Sequence, residues 1–287
     1  MNQEGQGEIS KEMRLLAILV LIQCFGIAAS VFHYGSEFLT TLWLNKLDGN
    51  LASAIDRVCI AIFMITAAVA AYRKSATLWG VVGFWVFFLA VNTFVQDGSF
   101  GASYVFFSGS IRYLSPLSLA LYCYFRHDHE RAHAAATSLL MLGAGVTFIG
   151  HGMEALNHNP QFIDFLIRFF RNYLGIGLLQ SEAESMLTAI GLMDVMVGIT
   201  VLLRPDHPVL MHMALWGFLT AAVRVLHSPS LPGLEGMLIR ATNGGVPLVL
   251  ALCALKIGAR PWTPLELVVQ LVRHGLRRRL RSIPGAS

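Results

Sequence analysis

About eight stretches of this chain are apolar and long enough to cross a lipid bilayer, where a helix needs about 20 mostly apolar residues. The chain has 287 residues, of which 55% are hydrophobic and 13% are charged, whereas a soluble domain carries about 25% charged residues. The sequence therefore predicts an all-α, polytopic integral membrane protein whose main partner is the lipid bilayer.

The predicted spans follow one another with short polar connections. No small-residue cleavage motif follows the first apolar run, so we expect that run to be retained as a span rather than removed as a signal peptide. We place the spans at 13–33, 53–72, 77–96, 103–125, 134–157, 184–203, 208–227 and 236–257.

Positive charge separates the two ends of the predicted bundle. Arg73, Arg126 and Arg204 lie in alternate connections, as do the basic residues that flank the first and last spans. Because Lys and Arg accumulate on the cytoplasmic side of a membrane, we expect both termini in the cytoplasm. The polar segment 1–12 is then a cytoplasmic amino terminus.

Two amphipathic segments are predicted to lie along the membrane rather than across it. The segment 160–177 alternates polar residues with several phenylalanines on the outer face, and the basic tail 261–287 does the same on the cytoplasmic face. A basic tail of this kind is attracted to anionic lipid. The polar residues concerned are Gln161, Asp164, Arg168 and Arg171 in the first segment, and Glu266, Gln270, Arg273, Arg277 and Arg281 in the second.

The two halves of the sequence resemble each other. WVFFLAVNTFVQDGSFG from Trp85 aligns with WGFLTAAVRVLHSPSLPG from Trp216. IRYLSPLSLALYCY from Ile111 aligns with IRATNGGVPLVLALCAL from Ile239, given a three-residue gap, and this second alignment matches Arg112 with Arg240. We therefore predict two tandem four-helix units, 13–126 and 134–257, related by a pseudo-twofold axis along the membrane normal.

Charged and polar side chains within the spans concentrate toward the predicted outer face. Ionisable residues are costly in a membrane and usually mark a site. The main candidates are His151, Glu154, Asp194, Arg224, His227, Arg240 and Asn243, and the secondary candidates in the first half are His33, Glu37 and Arg112.

These candidates allow three kinds of site. The first is a salt-bridge network in which Glu154 and Asp194 pair with Arg224 and Arg240. The second is a polar pocket for a quinone, a lipid head group or a small anion, in which the arginines donate and His151 or Glu154 transfers a proton. The third is a metal site, for which the weak candidates are His151, Glu154 and His158, with Asp194 and His227 completing the set.

Other polar clusters are given structural roles. We expect Asp56 and Arg57 to form a solvated pair at the start of a helix, and RHDHERAH, from Arg126, to be a solvated cytoplasmic loop. None of the cysteines, which are Cys24, Cys59, Cys123 and Cys253, forms a C-x-x-C pair. This argues against a thiol–disulfide enzyme, a zinc ribbon or an iron–sulfur protein. The net charge of +4 comes largely from the tail and does not indicate nucleic-acid binding.

Three motifs in the second half carry a resemblance to a known family. They are LLMLGAGVTFIGHGMEAL (139–156), IGLMDVMVGITVLL (190–203), in which Asp194 precedes Gly198, and RATNGGVPLVLAL (240–252). In these motifs the chain resembles the DoxX family of four-helix membrane proteins. The resemblance implies a four-helix fold, here doubled, and a bacterial-type plasma (inner) membrane, and it suggests quinone-linked redox work.

The leading hypothesis is an eight-span protein with a polar pocket in the outer leaflet of its second unit. It would act in membrane electron transfer or small-molecule handling near the quinone pool, as a subunit with a membrane partner. Quinone ranks ahead of metal or haem as a cofactor, and whether the protein is an enzyme stays open. One alternative is a transporter of a small solute or lipid, whose helices would break at Gly143, Gly145, Gly150, Gly152 or Gly244–Pro247. The others are an assembly subunit and a metal-dependent enzyme acting on lipid.

Overall fold

The structure is a computed structural model that describes residues 10–96, 102–257 and 266. The regular structure of the described residues is helical, which confirms the all-α prediction. In chain order the helices are α1 (Lys11–Tyr34), α2 (Glu37–Leu44), α3 (Gly49–Arg73), α4 (Ala76–Val95), α5 (Ala102–Ser108), α6 (Ser110–Tyr124), α7 (His129–Leu156), α8 (Pro160–Phe169), α9 (Gln180–Leu203), α10 (His207–His227), α11 (Leu231–Ile239) and α12 (Ala241–Ile257).

Among the described residues, 7 helical segments are long and apolar enough to cross a membrane. The predicted span 103–125 is not one of them; it is divided at Gly109 into α5, of 7 residues, and α6, of 15 residues. The counted segment Leu231–Leu255 also contains a break, at Arg240. About eight spans were predicted, and seven helical segments of sufficient length and hydropathy are found among the described residues. The eighth predicted span, 103–125, corresponds to the two shorter helices α5 and α6.

Large apolar side chains cover the outside of the helix bundle. Phe25, Ile65, Phe84 and Leu215 are each more than half exposed although they lie within long apolar helices. A soluble monomer rarely shows so much contiguous apolar surface. This surface is suited to lipid, and the fold is that of a polytopic membrane protein.

The two halves of the chain exchange contacts through their first helices. Helix α1 packs against α3 in its own half but also against α11 and α12 in the other, and α7 packs against α9 and also against α5 and α6. Within each half, the third long helix packs on the final pair, as α4 does on α6 and α10 on α12. The division into two tandem units, 13–126 and 134–257, stays a prediction.

Glycines bring α7 and α9 into close antiparallel contact. A Cβ added to Gly152 would lie 2.8 Å from the Gly191 carbonyl oxygen, and one on Gly145 would lie 3.1 Å from that of Gly198. Small residues commonly permit such backbone approach between membrane helices. Helix α7 runs unbroken from His129 to Leu156, so its glycines are packing contacts and not the helix breaks that the transporter alternative expected.

The helix breaks occur elsewhere, at Gly109 between α5 and α6 and at Arg240 between α11 and α12. Helix α12 continues through Gly244–Pro247, which is the other place where a break was expected. The fully buried side chain of Gln23 on α1 joins both breaks. Its Nε2 donates to the Arg112 carbonyl oxygen at 2.9 Å, and its Oε1 accepts from the Thr242 hydroxyl at 2.5 Å.

The RHDHERAH segment differs from its predicted role, and the two chain termini lie outside the described residues. RHDHERAH is only partly a loop, because α7 begins at His129 and the Asp128 side chain accepts from the Arg131 amide at 3.1 Å as its cap. The predicted basic tail lies outside the described residues apart from Glu266, and so does the amino terminus before Ser10. The predicted cytoplasmic position of both termini stays a prediction.

Candidate functional site

Two adjoining chambers lie at the end of the bundle where α7 and α10 end and α9 and α11 begin. The polar chamber has a volume of about 370 Å³, and the apolar chamber has a volume of about 320 Å³. His151, Phe162, Arg224 and Arg240 line both of them. The chambers are therefore two compartments of one site, with a charged part and an apolar part.

The polar chamber gathers side chains from six helices or their ends. Three arginines and a single carboxylate, that of Glu154, line it. Two of the arginines lie at or just after the helix breaks, and the third lies near the end of α10. The lining residues are Val105, Ser108, Arg112, His151, Glu154, Asn159, Pro160, Gln161, Phe162, Arg224 and Arg240.

Glu154 is held by neutral or weakly basic neighbours rather than by arginine. The Ser108 hydroxyl donates to its Oε1 at 2.7 Å, and His151 Nδ1 lies 3.3 Å from its Oε2. Among the described residues, neither Glu154 nor Asp194 forms a salt bridge with Arg224 or Arg240. The expected network of acid–arginine pairs is therefore wrong for these residues, and the pair that forms is His151–Glu154.

The guanidinium groups of Arg224 and Arg240 are positioned by few contacts. Nη1 of Arg224 donates to Gln161 Oε1 at 3.2 Å, and its guanidinium carbon lies 4.6 Å from the Phe165 ring centroid. Nη1 of Arg240 donates to the Gly236 carbonyl oxygen at 3.0 Å. Because a guanidinium has five N–H groups, each arginine has donors to offer to a molecule in the chamber.

Helix α8 forms one wall of the apolar chamber. Its aromatic side, including Phe162 and Phe165, lines the chamber, whereas Asp164 and Arg168 are exposed and line neither chamber. A π-helical turn, Phe170–Leu174, follows α8, and the Tyr173 hydroxyl donates to the Leu226 carbonyl oxygen at 2.9 Å. An amphipathic helix was predicted over 160–177; α8 ends at Phe169 and the π-helical turn ends at Leu174, and the aromatic side of α8 lines the chamber. Its position along the membrane surface stays a prediction.

Two buried polar side chains interrupt the apolar chamber. Asp194 on α9 is 6% exposed, and Asn243 on α12 is 3% exposed. Trp216, which also lines the chamber, is the hydrogen-bonding neighbour of the Asp194 carboxylate. Neither Oδ1 of Asp194 nor Oδ1 of Asn243 accepts a hydrogen bond from the described residues.

The structure does not bring the proposed metal ligands together. His158 lies beyond the end of α7, and its Nε2 is 3.1 Å from the Thr188 hydroxyl. His227 packs edge-on against Phe165, with ring centroids 4.6 Å apart, and it lines neither chamber. In the described part of the chain, no group of three or more His, Cys, Asp or Glu side chains is placed to hold a metal ion.

The secondary candidates have different positions. Arg112 lines the polar chamber, so a residue of the first half contributes to the site. His33 lies outside it and contacts Glu235 of α11, with 2.7 Å between Nδ1 and Oε1; the same Nδ1 lies 2.8 Å from the Ala29 carbonyl oxygen. Glu37 is the first residue of α2. Glu235 is not among the sequence-predicted candidates because it falls in the predicted polar connection between the spans 208–227 and 236–257, yet its side chain is buried.

Asp56 is buried and structural rather than solvated. It is 2% exposed, and it accepts hydrogen bonds from the Ser36 amide at 2.9 Å and from the Ser36 hydroxyl at 2.5 Å. Ser36 is also the cap of α2. The carboxylate therefore fixes the start of α2 against α3, and the predicted solvated Asp56–Arg57 pair is wrong.

Comparison with family models, with curated proteins and with solved structures finds no match to this chain. The resemblance to the DoxX family, and the quinone-linked role that it suggests, therefore stay predictions.

Proposed function

We propose that this membrane protein binds an amphiphilic anion, with the charged head in the polar chamber and the apolar body in the apolar chamber. The observation that carries this proposal is the junction of the two chambers at His151, Phe162, Arg224 and Arg240. A molecule that is charged at one end and apolar at the other matches both compartments at once.

The charge balance of the polar chamber favours an anion. It holds three arginines and one glutamate, and unbalanced positive charge is costly inside a membrane protein. A bound anion would offset this cost. Arginine suits phosphate especially well, because its planar group donates paired hydrogen bonds to two oxygens. The proposed head group is therefore a phosphate, held by the arginine side chains that line the polar chamber.

The apolar chamber favours an amphiphilic anion over a free inorganic anion as the ligand. Phe162, Phe165, Leu166, Phe169 and Phe170 line it from one side, and α9 and α10 close it from the others. Ligand sites of this apolar, aromatic character usually take apolar groups. A free phosphate would leave this compartment without an occupant.

A quinone is the second candidate, because a ring or isoprenoid tail would also fit an aromatic compartment. Its neutral head would not balance the arginines, which is why it ranks below an anionic amphiphile. The predicted position in the outer leaflet of a bacterial-type plasma membrane and the predicted membrane partner belong to this proposal.

The test compares two ligands that differ only in the head group, dodecyl phosphate and dodecanol, on protein purified in a neutral detergent. We expect the phosphate to bind at least about 10-fold more tightly, because charge-assisted hydrogen bonds contribute about 1.5–3 kcal/mol each. Titration calorimetry gives the two affinities. Equal binding of the two ligands would overturn the proposal.

Variants then locate the binding site. Arg224→Gln and Arg240→Gln should each remove most of the preference for phosphate. The matched control is Arg204→Gln, since Arg204 lies outside the chambers, is exposed and pairs with Asp206 at 2.9 Å. If the control weakens binding as much as the chamber variants do, the site lies elsewhere.

A further inference from the structure

We infer that the ligand carries a second polar group, a hydrogen-bond donor on its apolar body, which Asp194 and Asn243 receive inside the apolar chamber. This inference rests on the proposed function and specifies its ligand class. The ligand would then be polar at two separate places, with a phosphate at the arginines and a hydroxyl or protonated amine at these acceptors.

The evidence is the state of the two side chains. Both are more than nine-tenths buried, both line the apolar chamber, and one oxygen of each accepts no hydrogen bond from the described residues. A buried acceptor without a donor is costly, and folded proteins rarely keep one without a reason. Two such acceptors in one chamber indicate that a bound molecule supplies the donor.

Other buried acceptors of this protein show the usual arrangement. Gln23 Oε1 accepts from Thr242, and both Asp56 oxygens accept from Ser36. Both oxygens of Glu235, which lines neither chamber, also accept no hydrogen bond from the described residues, but its Oε1 lies 2.7 Å from His33 Nδ1. Asp194 and Asn243 differ from Glu235 because they line a chamber that gives a ligand room to approach.

Close packing fixes Asn243 in place. A Cβ added to Gly217 on α10 would lie 2.6 Å from the Asn243 carbonyl carbon, so α10 and α12 touch backbone to backbone at this point. On the other side of the chamber, α9 is held to α7 by its glycine contacts. Both acceptors thus stand on firmly packed helices, as a preformed binding site requires.

The two polar places are distinct. Arg224 and Arg240 line both chambers, whereas Asp194 and Asn243 line only the apolar one. When the head group lies in the polar chamber, beside Arg112, the apolar body of the ligand extends toward Asp194 in the apolar chamber. The proposed donor therefore belongs to the part of the ligand that extends into the apolar chamber.

The experiment uses alkyl monophosphates of graded chain length that end in a methyl group, a hydroxyl group or an ammonium group. Affinities are measured on the full-length protein in neutral detergent. At the best length, a donor end should improve binding at least about 10-fold over the methyl end, because sites built to bond a polar group reject analogues that lack it.

Variants assign this gain to the two side chains. Asp194→Leu and Asn243→Leu should abolish the gain while the preference for phosphate over alcohol is kept. Asp194→Asn keeps an acceptor but no charge, so it should keep a gain from hydroxyl and lose a gain from ammonium, which separates the two sources of the donor. The control is Thr200→Val, an exposed position on α9 whose hydroxyl bonds its own helix.

The outcomes distinguish the two proposals. If no alkyl phosphate binds better than its alcohol, the proposed function fails. If phosphates bind but the methyl end is as good as either donor end at every length, only this inference is overturned. A gain that survives in both Asp194→Leu and Asn243→Leu also overturns it. Should Asp194→Leu not fold, Asn243→Leu and Asp194→Asn still decide the question.

Discussion

Asp56 on α3 and Asp194 on α9 are both buried carboxylates on the second long helix of their half, yet their surroundings are opposite. Asp56 accepts two hydrogen bonds from Ser36, whereas one oxygen of Asp194 has no donor among the described residues. No chamber that we describe reaches Asp56, whereas Asp194 lines the apolar chamber. Both oxygens of Asp56 thus have their donors within the protein, whereas Asp194 keeps one acceptor for the ligand that we propose.

This difference teaches how to separate structure from function in a membrane interior. Both residues are ionisable groups within apolar helices, and on sequence grounds either could mark a site. What distinguishes them is whether the protein already provides the donors. The following predictions measure that distinction in the protein without ligand.

The largest effect should come from Asp56→Ala. This change leaves the amide and hydroxyl of Ser36 buried without an acceptor, at a cost of about 1–3 kcal/mol per group. We expect the free energy of unfolding, measured by titration with a denaturing detergent in mixed micelles, to fall by about 3 kcal/mol. A loss no larger than that of Asp194→Ala would break the comparison.

An intermediate effect is expected at Glu154, which is partly satisfied by the protein. Ser108→Ala removes the hydroxyl that donates to Oε1 at 2.7 Å but leaves the contact with His151. The same unfolding titration should show a loss of about 1–2 kcal/mol. Ser185→Ala is the control, since the Ser185 hydroxyl bonds its own helix on an exposed face, and its effect should be smaller than that of Ser108→Ala.

The smallest effect should come from Asp194→Asn. The amide keeps an oxygen for Trp216 and removes a buried carboxylate whose other oxygen lacks a donor, so little stability is lost. Unfolding of the ligand-free protein should change by less than about 1 kcal/mol in either direction. A loss as large as that of Asp56→Ala would show that Asp194 is structural, and the contrast would disappear.

The long apolar helices could be predicted from the sequence because hydropathy is a local property of about 20 consecutive residues. The candidates His151, Glu154, Arg224 and Arg240 could be found for the same reason, since each is a polar residue in an apolar run. The structure places them together around the polar chamber.

The partners of these residues could not be predicted, because they depend on contacts between distant segments. Glu154 bonds Ser108 from the preceding half, and His33 contacts Glu235 some two hundred residues later. The break at Arg240 adjoins Gln23 of α1 through Thr242. Apolar helices offer many equivalent pairings, and the sequence pattern does not choose among them.

The direction in which the aromatic side of α8 faces could not be predicted from the sequence either. Its alternation of polar and aromatic residues predicts an amphipathic helix, but the pattern is the same whether the aromatic side meets lipid or a chamber. In the structure Phe162 and Phe165 line the chamber, Asp164 and Arg168 are exposed, and Gln161 accepts a hydrogen bond from Arg224. Only the position of α8 relative to α7 and α10 decides this.

The exchange of first helices between the halves has a consequence for how the protein can be divided. Because α1 packs on α11 and α12 while α7 packs on α5 and α6, a cut in the connection between α6 and α7 would leave each fragment without part of its interior. The two fragments should accordingly be unstable when produced separately. Produced together in one cell, they should reassemble, as the pieces of a split reporter do.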